Sequence, residues 1–359
     1  MGDRQARGQQ RQARRKGKRV SLPGMQVAAL EQFLRERGVA VRGELRVELI
    51  SGGRSNLTFS ACDGVSRWVV RRPPVAGMTP SAHDMAREFT VTSALQESAV
   101  PVAKTVAFDA EGVALGVPMT VVEFVEGAVI RDRDDLAALT DEQVSASTRE
   151  LVRVLAALHA VSPQEVGLGG FGRPGGFVAR QVGLWAAQWD RVKTRELPDV
   201  EALSAGLAAA LPERSAASIV HGDFRIDNTI LDPADPGRVR AVVDWEMSTL
   251  GDPLTDIALM CACRAPVFDL VLGSRAAWAS DRIPSPASLA QAYAAASGRD
   301  LGNWGFYLAL ANFKLGVIAE GITYRAGQGA DAGSAAHRAA EATPELMAAG
   351  LRALKGDRN

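Results

Sequence analysis

The sequence predicts an α+β protein of two lobes, the N-terminal one an antiparallel sheet plus a helix and the C-terminal one mainly helical. Three observations carry this expectation. Between residues 40 and 125, five short segments have extended character and one reads as a helix. After Gly127 the texture changes to alanine- and leucine-rich segments with helical spacing, Leu151, Val154, Leu155 and Leu158 being the clearest. Glycine and proline punctuate the chain at Pro73-Pro74, at Glu126-Gly127 and across Gly167 to Gly176. The expected division is a basic tail over residues 1–20, an N-terminal lobe over 21–125 and a C-terminal lobe over 126–359.

Taken in order, Met25 to Arg37 places apolar residues on one helical face and ends at Gly38. Leu45 to Ile50 alternates as a strand, Ser51 to Asn56 makes a turn, and Leu57 to Cys62 is extended again. Asp63-Gly64 turns the chain into Ser66 to Arg71, which completes an antiparallel meander. His83 to Ser98 reads as a helix bounded by Pro101, and Thr105 to Asp109 and Met119 to Val125 read as strands. Helical patterns resume at Phe177 to Thr194, around Leu203 to Leu211, and from Pro253 onward.

Composition narrows the classes of function. The hydrophobic fraction of 47% in 359 residues is ordinary for a protein with a buried core. Membrane spans need roughly 18 uncharged apolar residues, and neither such a run nor a secretory signal is evident, so a cytoplasmic protein without membrane partners is expected. Cys62, Cys261 and Cys263 lack paired C-x-x-C spacing and are read as reduced thiols. Residues 1–20 hold eight Lys or Arg and one Asp, a charge of +7, which leaves −7 on the remainder of a chain whose formal net charge is zero. The tail has no hydrophobic periodicity and is expected to be disordered, without specific affinity for nucleic acid. Nothing in the sequence sets an oligomeric state.

The chemistry is concentrated in residues 219–231, I-V-H-G-D-F-R-I-D-N-T-I-L, and in the strand end Asp244-Trp245-Glu246 that follows Ala241 to Val243. Phosphoryl transfer needs a carboxylate to orient an attacking hydroxyl and oxygen ligands to hold magnesium against phosphates. Asp223 fits the first task, Asn228 and Asp244 the second, and Glu246 is a further metal candidate. The spacing D-x-x-x-x-N from Asp223 to Asn228 is that of a kinase catalytic loop.

These residues resemble the aminoglycoside phosphotransferase and choline kinase family, marked by H-G-D-x-x-x-x-N and a later acidic strand end. The nearest likeness is to the kinase-like domains associated with acyl-CoA dehydrogenases, in which H-G-D-F-R-x-D-N and D-W-E-x-x-x-x-G-D-P-x-x-D recur. Both strings are present here, at His221 to Asn228 and Asp244 to Asp256, with F-V-A-R-Q-V-x-x-W at Phe177 to Trp185.

The resemblance implies a two-lobed, protein-kinase-like fold that uses ATP (or GTP) and Mg2+ to phosphorylate a small-molecule hydroxyl. It implies a phosphate-covering turn with Gly52, Gly53, Ser55 and Asn56, and a hinge from Glu123 to Val125 facing adenine. Arg71 stands where such proteins carry a strand lysine, with Glu88 as its natural partner. Arg225 is expected to offset charge near the transferred phosphate, His221 to hold backbone geometry, and Asp256 to tie down the catalytic loop. The implied acceptor is a hydroxyacyl thioester, with an aminoglycoside or amino alcohol as the alternative substrate. The replacement at Arg71 leaves open a second reading, a nucleotide-binding pseudoenzyme.

Overall fold

The computed structural model describes residues 22–51, 56–75, 84–329 and 335–356. The basic tail and the turn residues Gly52, Gly53 and Ser55 lie outside the described residues. The chain forms two compact units, Met1–His83 with Val106–Val121, and Asp84–Thr105 with Val122–Asn359.

The first unit holds helix α1 (Val27–Glu36) and strands β1 (Arg46–Ser51), β2 (Leu57–Cys62) and β3 (Arg67–Arg72). β4 (Thr105–Asp109) and β5 (Met119–Glu123) complete a five-stranded sheet of order β1-β2-β3-β5-β4. β1 to β3 form the expected antiparallel meander, with Phe59 opposite both Leu49 and Val70. Asp63 shapes the turn after β2, its Oδ1 accepting the amides of Val65 at 2.9 Å and Ser66 at 2.6 Å. Side chains alternate across a strand, so Leu57, Phe59 and Ala61 share one face with Trp68 and Val70. Leu30, Phe33 and Leu34, at helical spacing on α1, complete the same buried cluster.

The second unit is mainly helical. It contains α2 (Met85–Leu95), α3 (Arg133–Ala137), α4 (Asp141–Ala160), α5 (Phe177–Val192) and α6 (Pro198–Ala209). After four short strands follow α7 (Leu254–Ala262), α8 (Phe268–Leu272), α9 (Pro286–Ser297), α10 (Trp304–Gly327) and α11 (Thr343–Gly356). The sequence reading grouped α2 with the sheet, over 21–125. In the structure α2 belongs to the larger unit, because Val91 and Leu95 are buried in that unit's core with Leu151, Leu155 and Trp245. A capping box of Thr140 and Gln143 starts α4. Helix α10 packs against α5, α7 and α11. It is long and apolar enough to cross a membrane by length and composition, yet 78% of its most apolar window is buried inside the protein. Its apolar faces are therefore used in packing.

The four strands position the site. β6 (Ser218–Val220) pairs antiparallel with β9 (Thr249–Gly251), and β7 (Thr229–Leu231) pairs antiparallel with β8 (Val239–Val242). The loop from β6 to β7 carries residues 221–228, and the loop from β8 to β9 carries 243–248. Since the strands entering and leaving one loop are the partners of those bounding the other, the two loops are held side by side. Short apolar runs such as Ile219-Val220 and Ala241-Val242 suffice because both ladders lie in the core.

Leu155, fully buried at the centre of α4, tests this core. Leu155→Ala is expected to lower stability by about 2–5 kcal/mol in urea denaturation. Val113→Ala, at a site 73% exposed, should stay within about 0.5 kcal/mol of the wild type.

Candidate active site

Asp256, in the first turn of α7, is 1% exposed and anchors the loop after β6. Its Oδ2 accepts the His221 amide at 2.7 Å and its Oδ1 accepts the Gly222 amide at 2.8 Å. His159 on α4 approaches the same Oδ2 through Nε2 at 3.2 Å, while its Nδ1 lies 2.7 Å from the Tyr293 hydroxyl on α9. A carboxylate accepts, so Nε2 donates and Nδ1 accepts from Tyr293. Burial alone would raise the pKa of Asp256. The hydrogen bonds from His159 and the His221 amide outweigh it and hold the carboxyl below its ordinary value.

His221 is completely buried. Its Nδ1 accepts the Asp223 amide at 3.2 Å, so Nε2 carries the proton and donates to the Val243 carbonyl at 3.1 Å. The imidazole thereby ties one loop to the other, wedged against Phe224 and, at 4.7 Å between centroids, Trp245. Gly222 has φ +85, and a Cβ there would lie 2.8 Å from the Met247 backbone oxygen. Only glycine fits this approach.

Asp223 leaves the loop with a third of its side chain exposed. Arg225 donates to its Oδ1, and Asn228 Nδ2 donates to its Oδ2 at 3.1 Å and to its carbonyl at 2.8 Å. Arg225 is 8% exposed, lies over the Phe268 ring, and forms a fork with Asp227 at 3.0 and 2.9 Å. Burial pulls its pKa down, but Asp223 and Asp227 hold it well above the usual arginine value. Three of its five N–H groups meet these two carboxylates and fix the orientation of Asp223.

Asn228 and Asp244 are joined through the backbone, the Val243 amide donating to the Asn228 carbonyl at 2.9 Å. Asp244 is half-buried and has φ +68, the left-handed region that costs a non-glycine residue about 1–3 kcal/mol. Glu246 is half-buried in the following 3₁₀ turn, Trp245–Met247. Helix α2 packs on this turn, with Arg87 donating to the Ser248 carbonyl at 2.9 Å and stacking on Phe171. The glycine-rich loop around Phe171 therefore supports the acidic turn.

The donor chemistry fits magnesium. Asn228 spends its amide nitrogen on Asp223, so its Oδ1 is a hard oxygen of the kind magnesium takes, as are the carboxylate oxygens of Asp244. Among the described residues no group of three or more His, Cys, Asp and Glu could hold a metal, which speaks against a zinc-type cage. Burial pushes Cys261 and Cys263 up to about 12, as expected for inert thiols.

Asn56 is buried at the start of β2. Arg71 and Arg72 point to opposite faces of β3; Arg72 is spent on the carbonyls of Gly24 and Pro73, which leaves Arg71 as the half-buried cation on the other face. Glu88 is buried on α2 in the second unit. Glu123 ends β5, its amide donating to the Lys104 carbonyl at 2.8 Å, and Val125 is half-buried just beyond.

Sequence reasoning missed Lys314. Its Nζ donates to the Gly222 carbonyl at 3.0 Å and lies 5.7 Å from the centroid of the Trp185 ring. Burial lowers its pKa against the opposing pull of Asp223 and Asp256. A cavity of about 190 Å³ opens here, walled by Phe177, Leu184, Trp185, Met247 and Leu310, with Gly222, Asp256 and Lys314 along one side. The available signal was a single lysine inside the apolar run of α10.

Asp256→Asn is expected to weaken the fold, because the amide offers only one acceptor oxygen to two loop amides. The carboxyl pKa is depressed on folding, so its contribution is complete above the unfolded value near 3.8 and is lost as pH falls through the lower folded value. The stability gap between wild type and variant in urea should be constant from neutral pH down to about 4 and shrink below it. A gap independent of pH down to full acid unfolding would contradict this.

Residues 46–309 match the phosphotransferase enzyme family. Human acyl-CoA dehydrogenase family member 11 is 33% identical over 302 residues, which are 83% of this chain and 38% of that protein. Mouse acyl-CoA dehydrogenase family member 10 is 31% identical over 89% of this chain and 30% of its own length. The chain thus spans well under half of these curated relatives. A Ralstonia eutropha crystal structure, that of a candidate aminoglycoside phosphotransferase, superposes with a TM-score of 0.79 at 33% identity, covering 92% of this chain and 98% of the other. The ternary complex of a thermostable mutant of aminoglycoside phosphotransferase APH(4)-Ia with AMP-PNP and hygromycin B shares the fold at 18% identity, with a TM-score of 0.59 over 90% of this chain and 99% of that one. With the aspartates and asparagine of the loop after β6 and the acidic turn after β8 in place, these matches identify the chain as a member of the phosphotransferase enzyme family, a kinase-type phosphotransferase with a protein-kinase-like α+β fold.

Proposed function

We propose that this chain binds ATP with Mg2+ and phosphorylates the hydroxyl group of a small molecule, with a hydroxyacyl-CoA as the acceptor. The observation that carries the reading is the state of Asp223. It is partly exposed, fixed by Arg225 and Asn228, and placed directly after a glycine that lines a largely apolar cavity. Each carboxylate oxygen has lone-pair capacity beyond one bond, so Asp223 can still accept a hydroxyl proton. Magnesium, when bound, would neutralise phosphate charge and orient the transferred group. Asn228 and Asp244 would hold it, with Glu246 at the edge of the site. Arg225 keeps Asp223 in one rotamer, and His221 fixes the spacing of the two loops. Arg71 and Asn56 of the first unit carry polar groups suited to nucleotide phosphates, and Glu123 and Val125 of the second offer backbone groups to a base.

The acceptor assignment draws on two supports. The matched relatives are named for acyl-CoA dehydrogenation, and the cavity walls are apolar side chains of α5 and α10. A second reading, nucleotide binding without transfer, rests on arginine in place of the strand lysine at Arg71.

Asp223→Asn separates the two. It preserves shape and removes basicity, so ADP formation with hydroxyacyl-CoA should fall by about 10² or more while ATP affinity barely changes. Near-normal turnover in the variant, or no turnover in the wild type across hydroxyacyl-CoAs, aminoglycosides and amino alcohols, would refute the transfer mechanism. Asp244→Ala should abolish the magnesium dependence of ATP binding, measured by calorimetry with and without the ion. Unchanged affinity in both conditions would remove Asp244 from the ligand set.

A further inference from the structure

The chemistry above leaves one charged group of the cavity without a task. Lys314 projects from the centre of α10, and the cavity it lines is built wholly from residues of the larger unit. An ammonium has three N–H donors and no acceptor. One donor meets the Gly222 carbonyl, and the Trp185 ring lies alongside. The one acid along the wall, Asp256, has both oxygens engaged by the His221 and Gly222 amides and by His159. The other polar side chains there, Gln181, Thr249, Thr255 and Tyr307, are uncharged groups. A ligand entering this space therefore meets apolar walls and a single cation next to the residue that precedes Asp223. At about 190 Å³ the cavity is also smaller than the roughly 300–1,000 Å³ of sites that enclose a whole drug-sized ligand. It holds the reacting end of the acceptor.

We propose that Lys314 sets the polarity of the acceptor: its unspent N–H groups receive an acyl oxygen carried by the same short chain as the reacting hydroxyl, and its charge excludes acceptors with an ammonium there. The inference rests on the cavity being the acceptor site. The acyl oxygen is either a carboxylate or a thioester carbonyl, and both present an acceptor where a cationic site favours negative charge. A polycation or amino alcohol brings a like charge into a space where water screens poorly.

Three probes share a four-carbon chain and a hydroxyl: 3-hydroxybutyrate, 3-hydroxybutyryl-CoA and 4-aminobutan-2-ol. Their dissociation constants for the full chain with ADP and Mg2+ present can be measured by ligand-observed NMR, independently of turnover. The wild type should bind the acid or its thioester at least about tenfold tighter than the amine, and the stronger of the first two identifies the source of the oxygen. Lys314→Gln keeps a donor for Gly222 and removes the charge; Lys314→Met removes both. The acid-to-amine ratio should fall by about tenfold in either variant, with ATP affinity unchanged. A wild type that binds the amine as well as the acid overturns the proposal, and so does a ratio unaltered in a folded variant, which would leave Lys314 as support for the loop. Selective binding without ADP formation would instead defeat the transfer reading and leave the role of Lys314 standing.

Discussion

A carboxylate with no access to water, that of Asp256, receives two consecutive backbone amides of the loop after β6. Those amides have no strand partner, and a buried donor left unmet costs about 1–3 kcal/mol. One side chain at the start of α7 resolves both, and it does so with the charge-assisted bonds that are strongest in a dry interior. The rest of the site inherits its geometry from this clamp. Gly222 is pressed against Met247, His221 can then reach across to Val243, and Asp223 is delivered to Arg225 and Asn228. His159 and Tyr293 extend the same network into α4 and α9, so helices remote from the chemistry bear on the position of the loop.

Charges in the site divide by whether they are satisfied internally. Arg225 is locked between Asp223 and Asp227, and Asp256 is consumed by the loop. Asp244 and the amide oxygen of Asn228 are the hard donors proposed for a metal, and Lys314 retains donor capacity toward the cavity. The division explains how two acids in one turn of sequence, Asp223 and Asp227, take different roles. Asp227 neutralises a buried guanidinium so that Asp223 need not do so alone.

Much of this was legible in the chain, and the limits have a physical cause. The places of Asp223, Asn228 and Asp244 in the fold were readable because Asp223 and Asp244 come just after short apolar strands and Asn228 just before one. The strands and α1 were readable from alternation and from the 3.6-residue period, with ends differing by one or two positions. The affiliation of α2 was hidden, since Val91 and Leu95 look alike whichever core receives them. The fork between Arg225 and Asp227 is a local geometry that no spacing rule encodes. Lys314, His159 and Tyr293 were invisible because their partners lie 92 to 134 positions away and meet only when α4, α7, α9 and α10 pack.

The left-handed backbone at Asp244 has an evolutionary consequence. Glycine at that position would relieve the torsional penalty, so the folded state would gain stability at the moment the proposed metal ligand disappeared. Drift under selection for abundance alone would push this residue toward glycine, a pressure that a metal-binding role at this position would oppose. Engineering by heat challenge faces the same slope: a library ranked by melting temperature would enrich inactive chains at residue 244, and only a screen coupled to turnover would hold the acid in place.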